Sequence, residues 1–270
     1  MQFSETQRKV AGIAGECGGT VSVAVRNIEN AADFALNDDV VMSAASVIKV
    51  PILVEALRQV RDGTPALNAE FVIEGENRTR GAGVLRYLHS GIKVTFEDLL
   101  TLMIIVSDNA ATNLVIDLVG MDRVNATMSE MGYPNTLLRR KMMDWEAIEQ
   151  GRDNVTTARE MADLLARIAK RECLGGEWDE FVLRALSRQQ DTRKLGLFLP
   201  EDVELANKTG GREGIEHDCG IVTGPGFRYS IAVFTSGAKS PGDAVVAIGR
   251  ISRAVYEKLR VERGRCRQSR

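Results

Sequence analysis

Apolar positions recur every second residue near both ends of the chain and every third or fourth residue between them. Val21, Val23 and Val25 alternate with small or polar residues from Thr20 to Ile28, the pattern of a strand with one buried face. The turn signal Glu29-Asn30 separates it from Ala32 to Leu36, which predicts a hairpin. A mostly apolar helix follows through Ile52-Leu53-Val54-Glu55-Ala56-Leu57, beginning near Ser46. Gly63-Thr64-Pro65 and Gly81-Ala82-Gly83 break the chain. The second break resembles part of a dinucleotide loop, but it lacks the third glycine and follows no strand pattern. Thr95 with Asp98 three residues later caps a helix through Leu99, Leu100, Leu102, Met103 and Ile104. Further helices are predicted over Ala110–Val119, Met121–Met131, Thr157–Ala169 and Trp178–Arg188, with a long ordered loop from Leu137 to Val155. Val203–Asn207, Asp218–Thr223 and Arg228–Ser236 read as strands, and Asp243–Val261 as a closing helix.

Strands at both ends and helices in the middle predict an α+β fold: an antiparallel five-stranded sheet flanked by terminal helices, with an inserted all-helical lobe. The whole of residues 1–270 reads as one domain. Residues 1–45 plus 195–270 form its sheet lobe and residues 46–194 its helical lobe.

Composition narrows the partners. The 270 residues are 44% apolar and 27% charged, an ordinary globular balance. A net charge of −2 gives no reason to expect nucleic acid or an anionic membrane surface as a partner. Arg260, Arg263, Arg265, Arg267 and Arg270 suggest a solvated basic tail. Met1–Val10 has no apolar run of signal-peptide length, and the longest apolar stretch, Leu99–Val106, is too short to cross a bilayer. As it stands the chain reads as cytoplasmic; as a trimmed mature form it would be periplasmic or secreted. Cys17, Cys173, Cys219 and Cys266 form no C-x-x-C and read as reduced thiols. No metal or other cofactor is expected.

The first candidate chemistry lies in Ala44-Ala45-Ser46-Val47-Ile48-Lys49-Val50-Pro51. Lys49 falls on the same helical face as Ser46. A serine is a poor nucleophile until a base takes its proton, and a lysine serves when burial and nearby cations favour its neutral form. The N–H of Ser46 at a helix start is also free to hold an oxyanion. The same pattern arises from a capping serine and an exposed lysine. Two details favour chemistry: Lys49 is embedded in apolar residues, and Pro51 costs the helix a backbone hydrogen bond.

Two more polar groups stand at the ends of elements: Ser107-Asp108-Asn109 between two helices, and Lys208-Thr209-Gly210 at the end of a strand. S-x-x-K, S-D-N and K-T-G in this order resemble the penicillin-recognising serine enzymes, specifically the class A β-lactamase-like branch. The resemblance runs from the Val21 strand to the closing helix. It implies Ser46 as the acylated nucleophile, Lys49 as its base and Ser107 as the proton donor to the leaving nitrogen. It implies Asn109 as the group orienting the substrate amide, and Lys208 and Thr209 as ligands of a substrate carboxylate. The N–H groups of Ser46 and Gly211 would form the oxyanion hole, with Gly210 allowing close approach. Lys208 beside Lys49 would favour a neutral Lys49.

Two departures stand out. The family's loop before an Arg-Asp-x-x-Thr segment carries a Glu and Asn that hold the deacylating water. Here Arg152-Asp153 with Thr156-Thr157 matches that segment, but Arg139 to Glu146 holds no such pair. Glu146 or Asp144 would be the replacement base, or a solvated loop charge. His217-Asp218-Cys219 stands where many members place an arginine, so His217 is a structural or substrate-facing residue. With only His89 and His217, and no G-x-S-x-G, a Ser-His-Asp hydrolase is improbable. The expected ligand is a small molecule, a β-lactam or peptide-like amide bearing a carboxylate. The function is then a β-lactam hydrolase with weak turnover, a D-alanyl peptidase or esterase, or a sensor that stays acylated.

Overall fold

The computed structural model describes residues 4–29 and 33–268. Helix α1 (Ser4–Cys17) leads into strand β1 (Thr20–Asn27) and the short β2 (Phe34–Leu36), which pairs antiparallel with β1 through Val23 opposite Leu36 and Val25 opposite Phe34. The hairpin is therefore present; of its expected turn Glu29-Asn30, Asn30 lies outside the described residues, as do residues 31 and 32. After β3 (Met42–Ser43) a single 3₁₀ turn, Ala45–Ile48, runs into α2 (Lys49–Arg61). Strands β4 (Glu70–Ile73) and β5 (Ile92–Thr95) precede α3 (Phe96–Ile105), α4 (Asn109–Val119), α5 (Met121–Glu130) and α6 (Trp145–Glu149). The chain continues through β6 (Val155–Thr156), α7 (Ala158–Lys170), α8 (Gly176–Ser187), β7 (Glu204–Arg212), β8 (Ile215–Gly224), β9 (Phe227–Ser236) and α9 (Pro241–Gln268).

The five-stranded antiparallel sheet has the order β2-β1-β9-β8-β7. Its first and last strands in sequence thus meet in space, Val23 opposite Val233, while β7 is left as an edge. Along β9, Ile231 and Val233 face one apolar core with α1 and α9, and Ala232 and Phe234 face a second core with the central helices. This two-sided burial corrects the reading of β1 as a strand with one buried face. Ser22 and Ala24 are fully buried too, because small side chains let α7 pack close against the strand.

The inserted segment is not all-helical. β4 pairs with β5, and β3 pairs with β6, in two small sheets that short, weakly alternating segments did not announce. α6 lies inside the stretch expected to be loop, started by Asp144, whose side chain accepts from Ala147 N–H at 3.0 Å. The expected cap is present: Thr95 and Asp98 form a reciprocal capping box on α3. Thr157, expected as the first residue of its helix, caps α7 instead. The stretch expected to be a solvated basic tail continues α9 as helix through Gln268, and residues 269 and 270 lie outside the described residues.

Candidate active site

Ser46 sits in the 3₁₀ turn rather than in α2, and Ala45 before it takes a left-handed backbone with φ 43°. Lys49 is the first residue of α2, so Pro51 falls in the first turn, where its missing N–H costs no intrahelical bond. That corrects the expectation of a broken hydrogen bond at Pro51.

Lys49 is fully buried, and its ammonium donates to Ser107 O at 2.7 Å, Ser107 Oγ at 3.0 Å and Asn109 Oδ1 at 2.9 Å. Burial, then the charge of Lys208, hold its pKa well below the ordinary lysine value, against the opposing pull of Asp108. Lys208 is equally buried and donates to the same Ser107 Oγ at 3.1 Å and to Thr209 O at 2.8 Å. Its pKa is lowered to about 8, chiefly by burial.

Ser107 has φ 54°, a left-handed conformation that a serine adopts only at a cost. The neighbouring residues fix it. Asp108 caps α4 by accepting from Ala111 N–H at 3.0 Å, and its other oxygen accepts from Val84 N–H at 2.6 Å and Leu85 N–H at 2.8 Å. Asn109 donates to Arg80 O at 2.9 Å. The Gly81-Ala82-Gly83 break, which is no dinucleotide loop, finds its reason here. At Gly83 (φ 108°) a Cβ would lie 2.3 Å from the Asp108 carboxylate, and at Gly81 (φ 88°) one would lie 2.6 Å from Asn109 Nδ2 and 2.9 Å from Met143 Sδ.

Gly210 is the point of contact between sheet and nucleophile: a Cβ there would lie 3.2 Å from Ser46 N and 3.2 Å from Val47 Cγ1. Ser46, Ser107, Thr209, Gly210 and Gly211 line one cavity of about 600 Å³, together with Lys194 and Glu216. The carbonyls of Gly210 and His217, paired across β7 and β8, both accept from Lys194 Nζ, at 2.7 and 3.1 Å. Carbonyls that meet in this way belong to a hydrogen-bonded pair, so the next pair, Gly211 and Glu216, turns its polar groups away from the partner strand. Because β7 is an edge, the Gly211 N–H is directed outward.

Lys49, Asn109 and Lys208 lie behind the cavity in the cluster at Ser107, whereas two expected site residues, His217 and Glu146, join neither the cavity lining nor that cluster. His217 is fully buried, its ring tilted 33° against Phe234 with centroids 4.5 Å apart, with Nε2 2.8 Å from Ser43 O and Nδ1 2.7 Å from Glu216 O and 3.2 Å from Thr235 N. Burial lowers its pKa to about 4. It ties β8 to β3 and does not face a ligand. Glu146 is exposed on α6, where Gln150 donates to it at 3.1 Å, and Asp144 is spent as the α6 cap. The loop turns Met142 inward instead, its N–H donating to Asn113 Oδ1 at 2.7 Å.

Sequence reading missed three groups around the pocket. Lys194 and Glu216 form an ion pair at 2.6 Å. Asp218, buried behind them, accepts from Leu195 N–H at 3.0 Å and Asn207 Nδ2 at 2.9 Å, and burial raises its pKa to about 6. Asp153 joins Arg140, at 2.8 Å, to Arg212, at 3.0 Å, linking the 137–155 loop to the residue after Gly211. Of these only Asp153 carried a sequence signal, within Arg152-Asp153.

Fold and constellation together define a serine active site built between a five-stranded sheet and a helical layer. The chain belongs to the beta-lactamase enzyme family, whose family model matches residues 5–259. Among solved structures it is similar to a beta-lactamase from Sphaerobacter thermophilus, with 33% identity, TM-score 0.88, and 94% of this chain and 97% of that one covered. It is also similar to a variant of PBP-A in acyl-enzyme complex with penicillin G, with 27% identity, TM-score 0.86, and 94% and 96% covered. Among curated proteins it is 24% identical to the beta-lactamase regulatory protein BlaB of Streptomyces cacaoi, over 91% of this chain and 94% of that protein.

Proposed function

We propose that this protein opens β-lactams or related carboxylate-bearing amides through an acyl-enzyme on Ser46, and that the acyl group leaves slowly. The observation that carries the reading is the convergence of Lys49 and Lys208 on Ser107 Oγ beside a cavity that Ser46 and Gly211 both line. In its neutral form Lys49 takes the Ser46 proton while Oγ bonds to the substrate carbonyl carbon. The N–H groups of Ser46 and Gly211 hold the oxygen that gains the charge. As the carbon–nitrogen bond breaks, Ser107 gives its proton to the nitrogen and is resupplied from the ammonium beside it. Lys208 and Thr209 supply a cation and a hydroxyl for the substrate carboxylate.

Slow release follows from what the 137–155 loop offers. Neither Asp144 nor Glu146 lines the cavity, and the side chain turned inward is Met142, which cannot activate water. The same observation favours a second reading, a receptor that stays acylated, in keeping with the regulatory role named for the Streptomyces cacaoi relative.

Intact mass against time after adding benzylpenicillin tests both. An adduct that forms on the wild type, is absent from Ser46→Ala, and decays as drug is consumed means a hydrolase. An adduct that persists means an acylated receptor. An adduct retained by Ser46→Ala removes Ser46 from the mechanism.

A further inference from the structure

The wall of the cavity beyond Thr209 and Gly211 holds a cation that the acylation chemistry does not use. Lys194 lies in the turn after α8, anchored where the next residue, Leu195, donates its N–H to buried Asp218. Its side chain is 8% exposed and its ammonium is fixed by two backbone carbonyls, Gly210 O and His217 O. Glu216 closes the arrangement, with Oε2 2.6 Å from Lys194 Nζ and the side chain 21% exposed. Among the described residues Lys194 is the one cation paired with Glu216, whereas the backbone of Glu216 is held by Thr235 Oγ1 at 2.8 Å. The carboxylate is thus free to turn outward without disturbing the strand. The lysine is not, because its carbonyl bonds hold it in place.

Gly211 exposes the carboxylate to the cavity: a Cβ there would lie 3.1 Å from Glu216 Oε2. An anionic ligand reaching Thr209 therefore meets, besides Lys208, a second cation, Lys194, on which a negative charge is already seated. We propose that Glu216 is an internal occupant of the ligand-carboxylate subsite, holding Lys194 in the free protein and yielding it to the carboxylate of an incoming ligand. This rests on the reading of the cavity as a site for carboxylate-bearing amides. Glu216 then sets how strongly the pocket prefers an anionic over a neutral ligand, since like charges at one site oppose binding and a freed cation favours it.

The test separates binding from acylation. In the Ser46→Ala protein, dissociation constants are measured by calorimetry for benzylpenicillin and for its methyl ester, which keeps the skeleton and loses the charge. Glu216→Gln is expected to tighten the free acid about tenfold and leave the ester within about twofold. Adding Lys194→Gln is expected to cancel that gain, the coupling a double-mutant cycle reads. Glu216→Asp, which shortens the arm and keeps the charge, gives an intermediate value and serves if the glutamine variant folds poorly. Equal shifts for acid and ester, no shift, weaker binding of the acid, or no binding of either ligand would overturn the proposal. The mass experiment on the wild type is independent: no Ser46 adduct alongside the expected selectivity would sink the acylation reading and leave this one standing.

Discussion

Lys49 and Lys208 reach the same oxygen, Ser107 Oγ, from opposite lobes of the site, at 3.0 and 3.1 Å. Two buried ammonium groups around one hydroxyl disfavour double protonation, and they predict a pH profile with two limbs. Acylation rises as pH climbs through the lowered pKa of Lys49, because its neutral form accepts the Ser46 proton. It falls again near pH 8 as Lys208 loses the charge that attracts a carboxylate. Lys208→Ala is expected to abolish the alkaline limb and shift the acid limb upward, since the cation lowering the Lys49 pKa is gone. Adduct formation rates from pH 5 to 10 by quenched-flow mass spectrometry check both limbs.

Buried between β8 and β3, His217 is expected to contribute to stability rather than to binding. Its folded pKa, about 4, lies below the ordinary 6.5, so the unfolded chain binds the proton more readily between these values. The contribution is complete above pH 6.5 and is lost as pH falls through 4, on the order of 3 kcal/mol in all. Urea midpoints for the wild type should fall between pH 7 and pH 4.5, and His217→Gln should flatten that part of the curve. Adduct formation at pH 7 by the folded variant should remain within about twofold of wild type.

Gly91 and Gly83 separate backbone strain from collision. Gly91 (φ 84°) has open space where a Cβ would stand, with no atom within 4 Å, so Gly91→Ala costs only the left-handed penalty, about 1–2 kcal/mol. Gly83→Ala adds a clash at 2.3 Å with the Asp108 carboxylate, which accepts two loop N–H groups and caps α4. It should cost about 3 kcal/mol or more in chemical denaturation and slow acylation, because Asp108 sets the strained turn at Ser107.

Glu146 is exposed and bonded within its own helix. Glu146→Gln should therefore leave the adduct lifetime within about twofold of wild type, followed by mass after removal of free drug. A several-fold longer lifetime would restore Glu146 as the base for water.

The sequence exposed those parts of the molecule that are written locally. Alternation in Val21-Val23-Val25 and helix capping by Thr95 gave a strand and a helix start. Ser46-x-x-Lys49, Ser107-Asp108-Asn109 and Lys208-Thr209-Gly210 were recognisable because each motif lies within four residues, and the fold brings Lys49, Ser107, Asn109 and Lys208 into contact. What stayed hidden depends on partners far along the chain. Lys194 looks like any loop lysine until Gly210, His217 and Glu216 surround it. His217 looked available on a strand whose register with Phe234 and Ser43 no local pattern reveals. The short β4 and β5 were missed because four residues of weak alternation do not distinguish a strand from a loop.

A Cβ on Gly210 would lie 3.2 Å from Ser46 N, 3.2 Å from Val47 Cγ1 and 3.3 Å from Ala45 Cβ, so even a methyl group would press β7 and the turn carrying Ser46 a few tenths of an ångström apart. Ser46 therefore takes its backbone from one side of a seam and its neighbours from the other. Acylation then acts as an alarm wire strung across that seam. A denaturant, a nick or a core substitution that parts the two sides by even a methyl group's width is expected to silence Ser46 while secondary structure persists. Labelling by a penicillin would thus count correctly joined molecules, not merely folded ones.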